Sequence, residues 1–72
     1  MPLADIKVIE GVFSEAEKAQ MIEKVTEALV SVEGEALREK TVVMLEEVKS
    51  GSWGFGGKTV STQDVKNLRA SG

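Results

Sequence analysis

The sequence predicts a small α/β fold: a β-α-β unit with two parallel strands, followed by a C-terminal hairpin. Three observations lead there. Leu3, Ile6, Val8 and Ile9 alternate with Asp5 and Lys7 in the manner of a strand. Met21, Ile22, Val25, Leu29 and Val32 then recur at helical spacing. Finally, Thr41-Val42-Val43-Met44-Leu45 is a compact β-favouring run about 30 residues after the first, more than the dozen or so that a parallel crossover requires. A right-handed crossover through the intervening helix is the economical connection.

Taken in order, the first strand occupies Pro2 to Glu10, and Gly11 ends it. Ser14 with Glu17 three positions later is a capping-box signature, so the helix runs roughly from Ser14 to Val32, with Gly34 as its stop. The second strand, Thr41 to Leu45, is apolar at consecutive positions. Both of its faces should therefore be covered, and Met44, like Met21, is expected in a core. Ser50 to Gly57 is a glycine-rich turn holding the only tryptophan and one of two phenylalanines, read as a short hairpin. Ser61 caps a last, weak helix around Gln63 to Leu68, and Ala70-Ser71-Gly72 should fray.

The 72 residues form one domain, 1–72, and a chain this short buries only a modest core. Cysteine and histidine are both absent, which removes disulfides and the usual transition-metal ligand sets. Partner subunits remain as the source of stability. The sheet says the same, because one helix can cover only one of its faces. Twelve acidic against nine basic residues, the latter scattered, leave a net charge of −3 and no nucleic-acid footprint. No apolar run approaches the roughly 18 residues of a membrane span, and Asp5, Lys7 and Glu10 interrupt any signal peptide. The expectation is a cytoplasmic protein with no cofactor and no metal.

Gly57-Lys58-Thr59 suggests a phosphate loop, but glycine is missing where Ser52 stands. Glu46 and Glu47 are adjacent on a strand and point to opposite faces, so they cannot share an acid-base site. Pro2 is the unusual residue. Initiator methionine is normally removed before a small residue, which would expose a prolyl secondary amine at the head of a strand.

Pro2-Leu3-Ala4-Asp5-Ile6-Lys7-Val8-Ile9-Glu10-Gly11, the helix with Val25-Thr26-Glu27-Ala28-Leu29, the strand Val42 to Glu47, and Trp53-Gly54-Phe55-Gly56-Gly57 together resemble the 4-oxalocrotonate tautomerase family. The match runs in order over roughly residues 2 to 60, with single-residue insertions near Phe13 and Gly51. The resemblance implies a hexamer built as a trimer of dimers. It also implies an isomerase acting on a small keto, enol or unsaturated acid, with Pro2 as the general base once Met1 is gone. Trp53 stands where the family carries an aromatic wall. The family's two substrate arginines are absent: Val12 and Phe13 follow Gly11, and Thr41 opens the second strand. Arg38, in the turn before that strand, is a better substitute than Lys40. The substrate-binding candidates are thus Trp53, Arg38, Thr41 and Ile9. Two alternatives keep the fold: one subunit type of a hetero-hexamer whose partner supplies the arginines, or a catalytically silent oligomeric interaction module.

Overall fold

A computed structural model describes residues 1–72. Strand β1 (Leu3–Ile9) leads to helix α1 (Glu15–Glu33), a 3-10 helix (Glu35–Lys40), strand β2 (Val42–Val48), the hairpin strands β3 (Trp53–Phe55) and β4 (Lys58–Val60), and helix α2 (Thr62–Ser71). β1 and β2 are parallel, with Leu3 opposite Val42, Asp5 opposite Met44, Lys7 opposite Glu46 and Ile9 opposite Val48. The small α/β class, the parallel pair, the crossover helix and the hairpin all stand as the sequence predicts.

Local chemistry explains the boundaries. The Ser14 hydroxyl accepts from the Glu17 N–H at 3.1 Å, and the Ser14 N–H donates to Glu17 Oε1 at 2.9 Å. This capping box satisfies two donors that the first helical turn would otherwise leave unpaired. Gly34 ends α1 at φ 101°, a conformation that costs a residue with a Cβ, while its N–H donates to the Val30 carbonyl. In the hairpin, Gly56 and Gly57 both have positive φ, as a tight two-residue turn demands.

Strand alternation puts Ala4, Ile6, Val8, Val43 and Leu45 beneath α1 and leaves the opposite sheet face open. On that open face Leu3 is 63% exposed, Val42 44% and Met44 43%. Beside them Lys7 bridges Asp5 and Glu46. Met44 is thus not in a core within one chain, because α1 covers only the other face. Only Val8, Ile9 and Val30 are buried among 72 residues, and none of them completely. Such a core is meagre even for a small domain, and the apolar open face is what a second layer would cover.

α2 is longer than the sequence suggested. Ser61 and Asp64 form a second capping box, and the helix continues to Ser71 in place of ending near Leu68 and fraying at Ala70 and Ser71. A long-range tie accounts for the extra turn. The Arg69 guanidinium lies 4.9 Å from the centre of the Phe13 ring, donates to the Val12 carbonyl at 3.2 Å and pairs with Glu17. Thr62 adds a 2.6 Å hydrogen bond to the Glu10 carbonyl. No helix of the chain is long and apolar enough to cross a membrane.

Candidate active site

The sequence-predicted site residues gather at opposite ends of the parallel pair. At one end, Pro2 introduces β1, and its carbonyl accepts from the Val42 N–H at 3.1 Å, tying the heads of the two strands together. Proline lacks an N–H, so this first position forfeits no ladder bond. Met1, Pro2, Leu29, Val32, Glu33 and Leu37 line a shallow hollow of about 400 Å³ here. Met1 is 84% exposed, so its removal would uncover the Pro2 nitrogen without disturbing packed structure.

Thr41 borders the same end. Its hydroxyl lies 2.9 Å from the Leu37 carbonyl and also within hydrogen-bonding distance of Glu33 Oε2. One hydroxyl proton can serve only one of these acceptors at a time. Arg38 sits in the 3-10 helix and is not free, as a loop position had suggested. It donates to Glu27 Oε1 and Oε2 at 2.6 and 3.1 Å and to Glu35 Oε1 and Oε2 at 3.1 and 3.0 Å. Hydrogen bonds to Glu27 and then to Glu35 push the guanidinium pKa above its ordinary value.

At the other end, Ile9 and Trp53 meet in a larger apolar hollow of about 450 Å³, with Phe13, Phe55, Val65 and Leu68 among its walls. Lys7 is the only cationic side chain in the lining and Asp64 the only acidic one. Hydrogen bonds to Glu46 and Asp5 raise the Lys7 pKa, so the ammonium persists at neutral pH. The hairpin, closed by its paired glycines, holds Trp53 opposite Val60 and so fixes the indole at this rim.

Pro2 and Thr41 are therefore neighbours, as are Ile9 and Trp53, but one chain does not unite the two pairs. The seven residues of β1 separate them, roughly 20 Å at about 3.3 Å per residue. Three residues escaped the sequence reading. Lys7 was read only as the polar half of an alternation, although its ammonium borders the Trp53 hollow. Glu33 falls between the expected helix end at Val32 and the stop at Gly34 and has no role in the sequence reading, although it lies against Thr41. Arg69, just past the expected end of the last helix at Leu68, has no role in the sequence reading, although it brings a guanidinium to Val12, where the first missing arginine should stand. Pairings across 8 and 57 positions leave no periodic trace.

This arrangement of a β-α-β unit followed by a hairpin is shared with known enzymes. The family described as tautomerase enzyme matches residues 2–63. A probable tautomerase of Campylobacter jejuni is 38% identical over 66 residues, covering 92% of this chain and 96% of its own. The 2-hydroxymuconate tautomerase of Bacillus subtilis is 38% identical over 64 residues, covering 89% of this chain and all of its own. Among solved structures, a 4-oxalocrotonate tautomerase isozyme from Methylibium petroleiphilum superposes with a TM-score of 0.71 at 37% identity, covering 89% of this chain and 97% of that one. The chain belongs to the tautomerase family. It is accordingly an isomerase of the 4-oxalocrotonate tautomerase type, and its parallel strands, helix and hairpin are those of that fold.

Proposed function

We propose that Pro2, freed of Met1, is the general base of a tautomerase that moves a proton within a small enol or unsaturated keto acid. The observation that carries this reading is the place of Pro2 at the head of β1, in a hollow walled by Leu29, Val32 and Leu37. A prolyl amine has an unshared pair available only when neutral, and free α-amino groups titrate near 7.7 to 8.0. Apolar walls disfavour the ammonium and lower that pKa. The neutral nitrogen takes a proton from the substrate's enol oxygen or an acidic carbon, and the electron pair left behind delocalises toward the carbonyl. The resulting ammonium returns the proton to another carbon of the conjugated system, so base and product are restored together.

Trp53 is too far from Pro2 to wall its own chain's amine, so the complete site forms between copies. A twofold axis perpendicular to the sheet sets two parallel pairs antiparallel to one another. Such an arrangement lays the Pro2 end of one copy beside the Ile9–Trp53 end of the next. The uncovered Leu3, Val42 and Met44 then supply apolar area for the further packing of a hexamer. In the joint site, Trp53 and Ile9 exclude water and Thr41 borders the base. Lys7 of the second copy is the cation that lines the pocket and can face a substrate carboxylate by exchanging Asp5 or Glu46 for it. Arg38 can add to that charge only by exchanging Glu27 or Glu35 for the substrate. The compound in the Bacillus relative's name is a hydroxylated unsaturated acid of this class.

The test is Pro2→Ala, which keeps an N-terminal amine after methionine removal but changes its position and basicity. Ketonisation of an arylpyruvate enol should fall by about 10² to 10⁴-fold, the usual share of a general base. Wild-type activity in that variant would refute the assignment.

A further inference from the structure

The hollow around Pro2 contains one polar feature that proton transfer by an amine in an apolar pocket does not explain. Glu33, the last residue of α1, is half-buried there, and its Oε1 is buried with no hydrogen-bond partner. Its Oε2 is the atom that lies against the Thr41 hydroxyl. A buried carboxylate oxygen with nothing to accept from costs stability, on the order of 1–3 kcal/mol. Such a cost is tolerated where a partner arrives later. The side chains lining this hollow include no other titratable group. Arg38 in the neighbouring 3-10 helix is committed to Glu27 and Glu35 and is not part of the lining.

We propose that Glu33 is a positioning residue for the Pro2 amine: once Met1 is removed, its free carboxylate oxygen accepts a hydrogen bond from the prolinium formed when Pro2 takes the substrate's proton. This rests on the reading of Pro2 as the base. In the cycle above, the amine must hold the proton between its removal from one atom and its delivery to another. Apolar walls favour release and oppose that loaded state. A carboxylate of opposite charge favours it. Glu33 thus offsets part of the desolvation due to Leu29 and Leu37, and directs one N–H of the ammonium so that the other points at substrate. Lys7 and Asp64 are the charged side chains of the Trp53 hollow, and in the proposed joint site they are the ones a second copy would bring toward the amine.

The experiment is a titration of the Pro2 nitrogen by ¹⁵N NMR, with label confined to proline, in assembled protein shown by mass to lack Met1. Pro2 is the only proline, so the signal is unambiguous. Glu33→Gln should lower the amine pKa by about one unit, a tenfold change in its protonation ratio, and the acid limb of kcat/KM should move with it. Glu33→Leu, whose apolar side chain suits the Leu29–Leu37 wall, should shift it the same way and guards against a folding failure of the Gln variant. A purely structural Glu33 would leave the titration in place. An amine pKa unchanged in either folded variant overturns the proposal. The underlying base assignment fails separately: full activity in Pro2→Ala would refute it whatever the Glu33 variants show, whereas an inactive Pro2→Ala with an unshifted Glu33→Gln titration would refute the role of Glu33 alone.

Discussion

Met44→Asp separates assembly from folding. Met44 faces away from α1 and is 43% exposed in the single chain. Fully burying a methionine side chain contributes about 1.5–3 kcal/mol, so covering the exposed portion supplies about 1 kcal/mol per chain to association. Aspartate forfeits that and places a carboxylate next to Asp5, its partner in the parallel register, where like charges repel. Left unpaired in a dry interface, the new charge costs a further 3–5 kcal/mol or so. A loss of about 5 kcal/mol at 1.4 kcal/mol per tenfold weakens the contact more than a thousandfold. Sedimentation velocity at micromolar concentration should show wild type as a hexamer and Met44→Asp as smaller species that retain helical circular dichroism. Val43→Asp is the contrasting control: Val43 points beneath α1, so its charge should unfold the chain itself. A monomeric wild type, or a Met44→Asp variant that stays assembled, would refute the reasoning.

Two further predictions concern the ends of the molecule. Trp53→Ala should move the apparent pKa of kcat/KM upward, because water admitted at the joint stabilises the ammonium of Pro2; a pH–rate profile checks this, and an unmoved limb would remove Trp53 from the wall. At the α2 end, the Arg69 guanidinium and, after it, the Ser14 N–H hold the Glu17 carboxyl down at about 2 against an ordinary 4.5. A depressed carboxyl contributes stability that is complete above its unfolded pKa and is lost as pH falls through the folded one. Protection of α2 amides from hydrogen exchange should therefore decline between about pH 4.5 and 2, and Arg69→Ala should remove much of that dependence.

Local and periodic features were legible in the sequence. Ser14 with Glu17, the stop at Gly34 and the helical recurrence from Met21 to Val32 fixed α1 to within a residue at each end. The β2 strand was legible from Val42 to Glu47, one residue short of its end at Val48, where the ladder pairs Ile9 with Val48. The site was legible only in part. Pro2 and Trp53 stand out as single residues of their kind, and Ile9 falls beside Trp53 because the hairpin returns to the end of β1. The partners of Arg38 were hidden, since Glu27 lies on α1 eleven positions earlier and meets it only when the chain turns at Gly34. Glu33 and Arg69 were hidden for the same reason. Which residues share one site depends on how copies associate, and no spacing within a chain encodes that directly.

The central claim is that Pro2 of one copy works with Trp53 of another, and subunit mixing tests it most directly. Pro2→Ala and Trp53→Ala chains are denatured together and refolded in equal amounts, and assayed at a pH on the acid limb where the upward shift in Trp53→Ala leaves little neutral amine. In a twofold pair, a mixed dimer has one site carrying both changes and one carrying neither. Half the dimers are mixed at random, so about a quarter of all sites should be wild type, and about a quarter of wild-type kcat should return. If the mixture shows no more activity than the average of the two parents, then Pro2 and Trp53 do not meet across copies and the account is contradicted.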